Sequence, residues 1–353
     1  MRERLLQWLA CPSCEGEFTL EASHREYSEI IEGILRCPSG HIFPIISGVP
    51  RLLPDALRKE LPQLYPEFFH RHSNIFDDQL VCQDTLLTKK KKETIDRFSY
   101  EWTLFSHYNA DNFKHFIAPL SVDFFEGKLG LDVGCGAGRH ARQAAELGAE
   151  IVSIDLSQAV DAAYQNNADN EFIHIIQADI YNLPFNHGVF DFIYSLGVLH
   201  HLPDPERGFQ ILLPYLTTGG SLFVWVYVHT LRKVALEILR HFARPLSNEN
   251  IRRLAYVCNL IDYGIFINLF GLTRKLPVLG RLVERYSPLR VKEYAAHGFQ
   301  VGFTDWFDRL SAPITNYYKE DEMRNWLKHS GLSNTKLLLE EDSWWWLYGE
   351  RKA

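Results

Sequence analysis

A glycine-rich segment offers the clearest chemistry in this chain. Residues 129–140 read LGLDVGCGAGRH, which places Gly134, Gly136 and Gly138 between a short apolar stretch and the start of a helical one. Glycine has no Cβ, so its backbone can adopt left-handed dihedral angles and approach a ligand closely. The segment therefore predicts a loop that binds a nucleotide-like cofactor. Because Arg139 stands where G-x-G-x-x-G would have its third glycine, a dinucleotide site with a bound pyrophosphate is disfavoured.

A second set of residues has the types and spacing of metal ligands. Cys11 and Cys14 form a C-x2-C pair, and Cys37 and His41 follow after a spacer of hairpin length. Three thiolates and one imidazole can complete the tetrahedral coordination of a structural Zn²⁺, which leaves no open position for catalysis. His24 competes with His41 as the fourth ligand. The alternative to the zinc site is a knuckle that folds without metal.

Two adjacent histidines could supply acid–base chemistry. His200 and His201 follow a predicted strand, and an imidazole can titrate near neutral pH. We expect His200 to act as a general base. The alternative is that one or both histidines cap the turn that follows them. Further candidates for the surroundings of a substrate are Tyr227, Asp305, Trp306, Tyr317 and Tyr318.

Apolar stretches that alternate with helical ones must position these residues. After the first strand, which leads into the glycine loop, further strands are predicted at 151–154, 172–177, 190–195 and 221–227. This alternation predicts a parallel, doubly wound sheet. Asp155 ends the second strand, about 20 residues beyond the glycine loop, where one carboxylate can accept hydrogen bonds from both hydroxyls of a ribose. Asp179 follows the third strand.

Together, these motifs resemble the class I S-adenosylmethionine-dependent methyltransferase family over residues 129–227. In that family the glycine loop wraps the methionine part of the cofactor, the acid matching Asp155 holds the ribose, and the pair matching Asp179 and Ile180 contacts the adenine. The resemblance implies an α/β fold with a Rossmann-like, seven-stranded methyltransferase sheet, which a helix at 318–330 and strands at 332–340 and 344–350 would complete. The cofactor-binding residues that it implies are Asp132, Gly134, Cys135, Gly136, Gly138, Asp155, Leu156, Asp179, Ile180 and Leu196.

The N-terminal part resembles a different family. Residues 5–54 are similar to the small Trm112-like zinc-ribbon domain that precedes some bacterial methyltransferases, which implies structural Zn²⁺. Related zinc-ribbon methyltransferases carry an aromatic segment that helps close over the cofactor, and here residues 97–108 read RFSYEWTLFSHY. We expect Tyr100 to be the cofactor neighbour in this segment. An ordinary packing helix is the alternative.

The remaining organisation follows from length and charge. We predict a zinc ribbon at 1–54, a linker with N-terminal helices at 55–127, a cofactor-binding core at 128–227, a helical lid insertion at 228–314, and a final helix with a β-hairpin at 315–353. Residues 228–300 contain 12 Lys or Arg and 5 Asp or Glu, a net charge of +7 that leaves −14 on the rest of a chain whose total is −7. This asymmetry suggests an anionic substrate or a membrane surface. The nearly uncharged residues 254–272 predict a lid helix, and peripheral contact of 228–300 with lipid is the alternative.

Composition limits the classes of function. The chain has 353 residues with 46% hydrophobic content, enough to bury a large core, and its negative net charge disfavours nonspecific binding of nucleic acid. The apolar run near Met1 is too short for a secretion signal, and six cysteines in this length do not form a disulfide framework. We therefore expect a cytoplasmic location.

We expect in-line methyl transfer from the sulfonium of S-adenosylmethionine to a small-molecule or lipid- or glycan-linked acceptor. Ribosomal RNA methylation is one alternative, because a family of guanine-N1 methyltransferases also joins a Cys3His zinc ribbon to this fold. The negative net charge and the large lid disfavour RNA. A noncatalytic cofactor-binding scaffold or partner subunit is the other alternative, which the intact glycine loop and acid disfavour.

Overall fold

A computed structural model describes residues 1–76, 86–106, 113–117, 120–277, 280–282, 295–296, 298–340 and 343–352. Residues 283–294, which belong to the predicted lid insertion, lie outside these ranges. The strands are β1 (Thr19–Glu26), β2 (Glu29–Arg36), β3 (Ile42–Ile46), β4 (Val49–Leu52), β5 (Leu129–Val133), β6 (Glu150–Asp155), β7 (Ile173–Ala178), β8 (Phe190–Leu196), β9 (Leu216–Tyr227), β10 (Ser333–Glu340) and β11 (Trp344–Glu350).

Helices connect and cover these strands. The α-helices are α1 (Asp55–Arg58), α2 (Leu61–Leu64), α3 (Pro66–Arg71), α4 (Ser73–Phe76), α5 (Leu86–Leu104), α6 (Phe113–Phe116), α7 (Arg139–Glu146), α8 (Ala159–Asn167), α9 (Pro205–Leu212), α10 (Leu231–Ala243), α11 (Asn248–Ile261), α12 (Asn268–Thr273), α13 (Phe299–Ser311) and α14 (Glu320–His329). A π-helical turn at Asp262–Ile267 joins α11 to α12. Short 3-10 helices lie at Glu3–Gln7, Val122–Phe124, Ile180–Asn182, Leu199–His201 and Leu213–Tyr215.

All strands belong to one mixed sheet with the order β1-β2-β3-β4-β7-β6-β5-β8-β9-β11-β10. Strands β5 to β9 pair in parallel, and β11 is antiparallel to both β9 and β10. The Rossmann-like α/β fold is thus confirmed. The expected seven strands are β5 to β11, but the prediction of a seven-stranded sheet was wrong in extent, because the sheet has 11 strands.

The extra strands come from the N-terminal part of the chain. Strand β4 pairs in parallel with β7, with Arg51 opposite Gln177 and Leu52 opposite Ala178. Beyond this pairing, Leu9 and Phe43 share a core cluster with Phe185. Residues 1–54 therefore extend the central sheet and do not form a separate packing unit. The pairing of β4 with β7 joins distant parts of the sequence, so local periodicity cannot predict it.

Arg51 holds this junction together from inside. Its guanidinium is fully buried, donates a 3.1 Å hydrogen bond to Gln177 Oε1 and forms an ion pair with Asp161, whose side chain is 32% exposed. The same guanidinium lies 4.7 Å from the ring centre of Tyr65, whose hydroxyl donates a 2.6 Å hydrogen bond to Asp161. Removing one partner of a buried pair is costly because it leaves polar groups without compensation.

We expect Arg51→Met to lower the free energy of unfolding by about 3 kcal/mol, the lower end of the range for broken buried pairs, because Asp161 keeps some access to water. Chemical denaturation measures the change. The matched control is Arg324→Met, which breaks an ion pair with Glu320 whose side chains are 64% and 55% exposed, and which should cost less than about 1 kcal/mol. Equal effects of the two substitutions would contradict the role given to Arg51.

The described part of the insertion after β9 is helical. Its helices α11 and α13 pack against each other and against the end of α5, forming a cluster that includes Phe105, Ile251, Phe307 and Leu310. This cluster places α13 and α5 over the carboxyl ends of β5 to β8, where open α/β sheets bind their ligands.

Candidate functional site

A cavity of about 330 Å³ lies at the carboxyl ends of the parallel strands, beneath α5 and α13. Its volume is in the range of small-molecule sites. Parallel strands bring their carboxyl ends to the same edge, so residues far apart in sequence meet there. The predicted cofactor residues in its wall are Gly134, Cys135, Asp155, Leu156, Asp179, Ile180 and Leu196.

The glycine loop is shaped by packing as well as by the cavity. Gly134, Gly136 and Gly138 have φ values of 82°, 52° and 81°, which favour glycine. A Cβ on Gly136 would lie 2.7 Å from a ring atom of Trp102, and one on Gly134 would lie 2.5 Å from Val198. Gly134 lines the cavity, whereas Gly136 and Gly138 form the turn beside it, and their contact with the cofactor stays a prediction.

Asp155 is fixed by three hydrogen bonds. Its Oδ2 accepts the Gly136 N–H at 3.0 Å, and its Oδ1 accepts the Ser157 N–H at 2.8 Å and the Ser157 hydroxyl at 2.7 Å. Burial raises the pKa of Asp155, and these hydrogen bonds oppose that shift. The carboxylate thus links the end of β6 to the glycine loop, and Asp155 lines the cavity.

Asp132 lies behind the wall instead of in it. The side chain is 2% exposed, and burial raises its pKa to about 8, with a smaller contribution from the charge of Asp155. The Asp132 side chain does not line the cavity, and the role in cofactor binding that the resemblance implies for it stays a prediction. Cys135 does line the cavity, but burial raises the pKa of its thiol well above the ordinary value, so it stays protonated and is no nucleophile.

Asp179 is engaged by a lysine that the sequence analysis did not single out. The Lys91 ammonium forms an ion pair with Asp179 Oδ2 and lies 4.7 Å from the ring centre of Tyr181. Asp179 Oδ1 accepts the Tyr181 N–H at 3.1 Å. Any adenine amine that uses this carboxylate must therefore share it with Lys91 or displace the ammonium.

Helix α5 covers the cavity with one face. The residues of this face recur at helical spacing and are Lys91, Thr94, Ile95, Phe98, Glu101 and Trp102. Tyr100 is on the other side of the helix, where its hydroxyl donates a 3.1 Å hydrogen bond to Glu249 and its ring stacks on Phe307. The expected contact of Tyr100 with the cofactor is therefore wrong, because a helix that presents 98 and 102 to the cavity turns 100 away.

The histidine pair is placed the other way round from our expectation. His201 lines the cavity, whereas His200 is fully buried and does not line it, and its ring centre lies 4.1 Å from that of Tyr227 with the two rings tilted by 40°. His200 is thus not positioned as the general base. The reason is the 3-10 turn at Leu199–His201, which directs adjacent side chains to different sides.

His201 is held in a defined tautomer. A carbonyl can only accept, so the 2.7 Å contact between His201 Nδ1 and Ile314 O makes Nδ1 the donor and leaves Nε2 as the acceptor of the neutral ring. Nε2 lies 3.9 Å from Asp308 Oδ1. Burial lowers the pKa of His201, and Asp308 partly opposes this shift. A neutral, oriented imidazole next to a carboxylate can accept a proton.

Other polar groups surround His201 in the cavity. Tyr227 donates a 3.4 Å hydrogen bond to Asp308 Oδ2, and Arg309 pairs with Asp305 at 2.6 Å. Glu101 is 1% exposed, and burial together with the charges of Asp308 and Asp305 raises its pKa well above the ordinary value. The Trp306, Tyr317 and Tyr318 side chains do not line the cavity, whereas Tyr227 and Asp305 do.

Three buried polar atoms in this wall have no hydrogen-bond partner among the described residues. They are Glu101 Oε2, His140 Nε2 and the indole Nε1 of Trp225. Buried polar groups are nearly always hydrogen-bonded in native proteins. Their position in the wall indicates that a polar ligand completes their hydrogen bonding.

The Cys and His residues near the N-terminus converge at a second site. The ligand atoms of Cys11, Cys14, Cys37 and His41 lie within 4.8 Å of one another. Individual separations are 3.5 Å between the sulfurs of Cys14 and Cys37, and 3.2 Å between Cys37 Sγ and His41 Nδ1. His24 lies on β1, where its Nε2 is 3.4 Å from Glu26, outside this cluster. The structure thus selects His41 as the fourth possible metal ligand.

Comparisons with known proteins identify the family of the domain that contains the cavity. A family described as "Methyltransferase domain" matches residues 131–224. The ubiquinone biosynthesis O-methyltransferase of Coxiella burnetii is 32% identical over 194 residues, which cover 50% of this chain and 77% of that protein. The chain belongs to the class I S-adenosylmethionine-dependent methyltransferases.

Other similar proteins match this methyltransferase over shorter stretches. An uncharacterized protein of Synechococcus is 40% identical over 103 residues, which cover 28% of this methyltransferase and 25% of that protein. The crystal structure of an S-adenosylmethionine-dependent methyltransferase from Mesorhizobium loti is 28% identical, with a TM-score of 0.31, over 34% of this chain and 55% of the other. The methyltransferase thus spans only about a quarter and about half of the lengths of these two relatives.

Phe98 and Trp102 belong to the aromatic segment that was expected to close over the cofactor, whereas Lys91 and Asp308 were not predicted. The spacing of Lys91, Phe98 and Trp102 is typical of one face of a helix, a face that does not include Tyr100. Asp308 of the methyltransferase had no such signal. It becomes a neighbour of His201 only because α13 folds back over the sheet.

Proposed function

We propose that this chain transfers the methyl group of S-adenosylmethionine to a small-molecule acceptor. The observation that carries the proposal is that one cavity contains both Asp155 with the glycine loop and His201 with Asp308. The residues proposed to bind the cofactor and an oriented proton acceptor thus share a single cavity, as a transfer reaction requires.

The residues of the sheet edge suit the cofactor. Asp155 would hold the ribose hydroxyls, Gly134 would allow the methionine part to approach the backbone, and Asp179 with Ile180 would contact the adenine. When bound, S-adenosylmethionine supplies a methyl group activated by a positively charged sulfonium. The covering helix α5 excludes water from this edge, which strengthens electrostatic interactions inside the cavity.

The far end of the cavity suits an acceptor that loses a proton. His201 Nε2 can take the proton of an acceptor hydroxyl or amine, and Asp308 at 3.9 Å stabilises the imidazolium that results. The similarity to a ubiquinone biosynthesis O-methyltransferase supports oxygen as the acceptor atom.

The charges of the cavity restrict the acceptor further. After the pairs Lys91–Asp179 and Arg309–Asp305 are formed, the wall still contains the carboxylates of Asp155 and Asp308 against Arg139. Such a wall disfavours anionic acceptors, including the backbone of RNA. Glu101, kept protonated by burial, and the Trp225 indole can donate hydrogen bonds, which suits a neutral acceptor with several polar atoms.

We also propose that Cys11, Cys14, Cys37 and His41 bind a structural Zn²⁺. With metal–ligand distances of about 2.3 Å for sulfur and about 2.0 Å for nitrogen, a tetrahedral site separates its ligands by roughly 3.5 to 3.8 Å. The separations of 3.5 Å between Cys14 and Cys37 and 3.6 Å between Cys11 and His41 lie in this range, and the 3.2 Å between Cys37 and His41 is slightly shorter. Four protein ligands leave no position for a substrate, so the ion would stabilise the N-terminal strands.

Substitution of His201 tests the proposed proton transfer. We expect His201→Gln to lower the rate of methyl transfer by about 100-fold or more, the usual contribution of a general base, while S-adenosylmethionine binding stays unchanged. The rate is measured as transfer of labelled methyl from S-adenosylmethionine to a panel of neutral phenols and catechols with and without alkyl chains.

The pH dependence gives a second readout of the same residue. Because burial lowers the pKa of His201 below 6.5, the wild-type rate should hold at neutral pH and fall only in the range below that value, where the ring becomes protonated. The His201→Gln variant should lose this acid limb. A wild type that binds the cofactor but methylates no acceptor in the panel would contradict the proposed acceptor class, and an unchanged rate in His201→Gln would remove the base.

A further inference from the structure

The outer surface of the helical insertion exposes an unusual number of apolar side chains. We define the apolar face as the exposed residues along α11, the π-helical turn and α12. These residues are Tyr256, Val257, Leu260, Ile261, Ile265, Leu269 and Leu272, each between 48% and 67% exposed. Ile238, Phe242, Leu276 and Leu282 extend the exposure to neighbouring parts of the insertion. A contiguous exposed apolar patch marks an interaction site, whereas single exposed residues do not.

The distribution of polar and apolar side chains on this helical segment is the reverse of that on a surface helix in water. Its polar residues face inward: Asn259 is fully buried and donates a 2.9 Å hydrogen bond to Phe299 O, and Asp262 accepts a 2.7 Å hydrogen bond from the Trp306 indole. Between Leu254 and Thr273 the outward side carries no charge. A surface helix of a water-soluble protein has the opposite arrangement, so this side is suited to an apolar environment.

Positive charge flanks the apolar face at both ends. Arg253 precedes it, and Arg274, Lys275 and Arg281 follow it, all exposed. Residues 228–300 of the insertion contain 12 basic and 5 acidic residues, in a chain whose net charge is −7. None of the described basic residues between 228 and 300 lines the cavity, so Arg253, Arg274, Lys275 and Arg281 are available on the outer surface of the insertion.

We propose that the apolar face docks on the surface of an anionic lipid bilayer. Apolar side chains would enter the boundary between headgroups and acyl chains, while the flanking Arg and Lys residues contact lipid phosphates. The charge distribution favours lipid over a second copy of this chain. Whether two such helices paired parallel or antiparallel, the basic ends would face each other and repel, whereas an anionic surface is complementary to both ends.

The docked helix would lie along the surface. By length and composition Asn248–Thr273 could also cross a membrane. However, Asn259 and Asp262 tie it to α13, the helix that contributes Asp305 and Asp308 to the cavity. A spanning helix would pull these charged residues toward the bilayer interior, which is costly. A parallel orientation keeps the cavity outside the hydrocarbon, at the surface from which a lipid-soluble acceptor would be drawn.

Flotation of the full chain with vesicles tests the proposal. We expect binding to vesicles of phosphatidylcholine mixed with phosphatidylglycerol, and weak or no binding to phosphatidylcholine alone. Leu260→Glu and Leu269→Glu should each abolish flotation. The matched control is Phe172→Glu, since Phe172 is 48% exposed but distant from the insertion, and this variant should float like the wild type. Arg274→Glu combined with Lys275→Glu should weaken binding about tenfold or more at low salt.

Several outcomes would overturn the proposal. Wild-type protein that does not bind anionic vesicles would refute it. Leu260→Glu and Leu269→Glu variants that still float with the vesicles, and whose circular dichroism shows a retained fold, would also refute it. A dimer in analytical ultracentrifugation that Leu260→Glu dissolves would assign the face to a second copy. Protein that stays in the vesicles after an alkaline carbonate wash would replace surface docking with a spanning helix. None of these readouts depends on methyl transfer.

Discussion

Asp155→Asn should weaken the binding of S-adenosylmethionine by about 100-fold. The wild-type carboxylate would accept charge-assisted hydrogen bonds from the ribose, and losing one or two of these costs about 3 kcal/mol, whereas tenfold in affinity corresponds to about 1.4 kcal/mol. Asparagine keeps one acceptor oxygen, which can replace Oδ1 toward the Ser157 N–H at 2.8 Å, whereas its amide NH2 cannot accept the Gly136 N–H that Oδ2 accepts at 3.0 Å in the wild type. Isothermal titration calorimetry with S-adenosylmethionine and S-adenosylhomocysteine measures the effect.

Two comparisons make this experiment decisive. Asp123→Asn removes an exposed carboxylate far from the cavity and should leave the dissociation constant unchanged. Thermal unfolding of Asp155→Asn separates a misfolded loop from a lost contact, because a folded variant should melt near the wild-type temperature. Unchanged affinity in Asp155→Asn would show that the ribose is held elsewhere, and no binding by the wild type would refute the proposed cofactor site.

Cys37→Ser is expected to release the metal and to destabilise the whole chain. The free energy of zinc binding becomes folding free energy, with apparent values of about 10 kcal/mol or more in zinc-finger peptides, so the loss of one buried ligand should cost about 3 kcal/mol or more. The effect should reach the cofactor site, because β4 of the N-terminal part pairs with β7, which ends just before Asp179. Elemental analysis gives the zinc content, and chemical denaturation gives the stability.

The chain provides its own control for the cysteine experiment. Cys258 is a half-buried cysteine of α11, outside the metal-ligand cluster. Cys258→Ser should keep both the metal and the stability of the wild type. Purified wild-type protein without zinc, together with a Cys37→Ser variant of equal stability, would favour a knuckle that folds without metal.

The elements of the cofactor half were accessible from the sequence because each is encoded locally. Buried parallel strands appear in the sequence as short apolar runs, and the glycine loop has a fixed spacing. An acidic residue at the end of such a run, as Asp155 is, can be recognised from its position alone. The cluster of Cys11, Cys14, Cys37 and His41 was equally readable. The choice of His41 over His24 required the fold of the hairpin, although the shorter spacing already favoured it.

The acceptor half was less predictable because it depends on how elements meet. The aromatic segment was noticed, but the choice of Tyr100 needed the rotation of α5 about its axis, which depends on where the sheet lies. The choice between His200 and His201 depended on one 3-10 turn. The pairing of Arg51 with Gln177 joins residues 126 positions apart, and a contact of this range leaves no trace in local periodicity.

The pairing of β4 with β7 also covers part of an edge of the central sheet. Every residue of β7 is buried, and its sequence, IHIIQA, is apolar and rich in β-branched side chains. Strand β4 pairs with Gln177 and Ala178 at the carboxyl end of β7, where the N–H and C=O groups would otherwise be open to pairing with another chain. We therefore expect the N-terminal strands to lower the tendency of this edge to aggregate. Shortening the protein to its catalytic core would sacrifice this protection even where every residue of the cavity is retained.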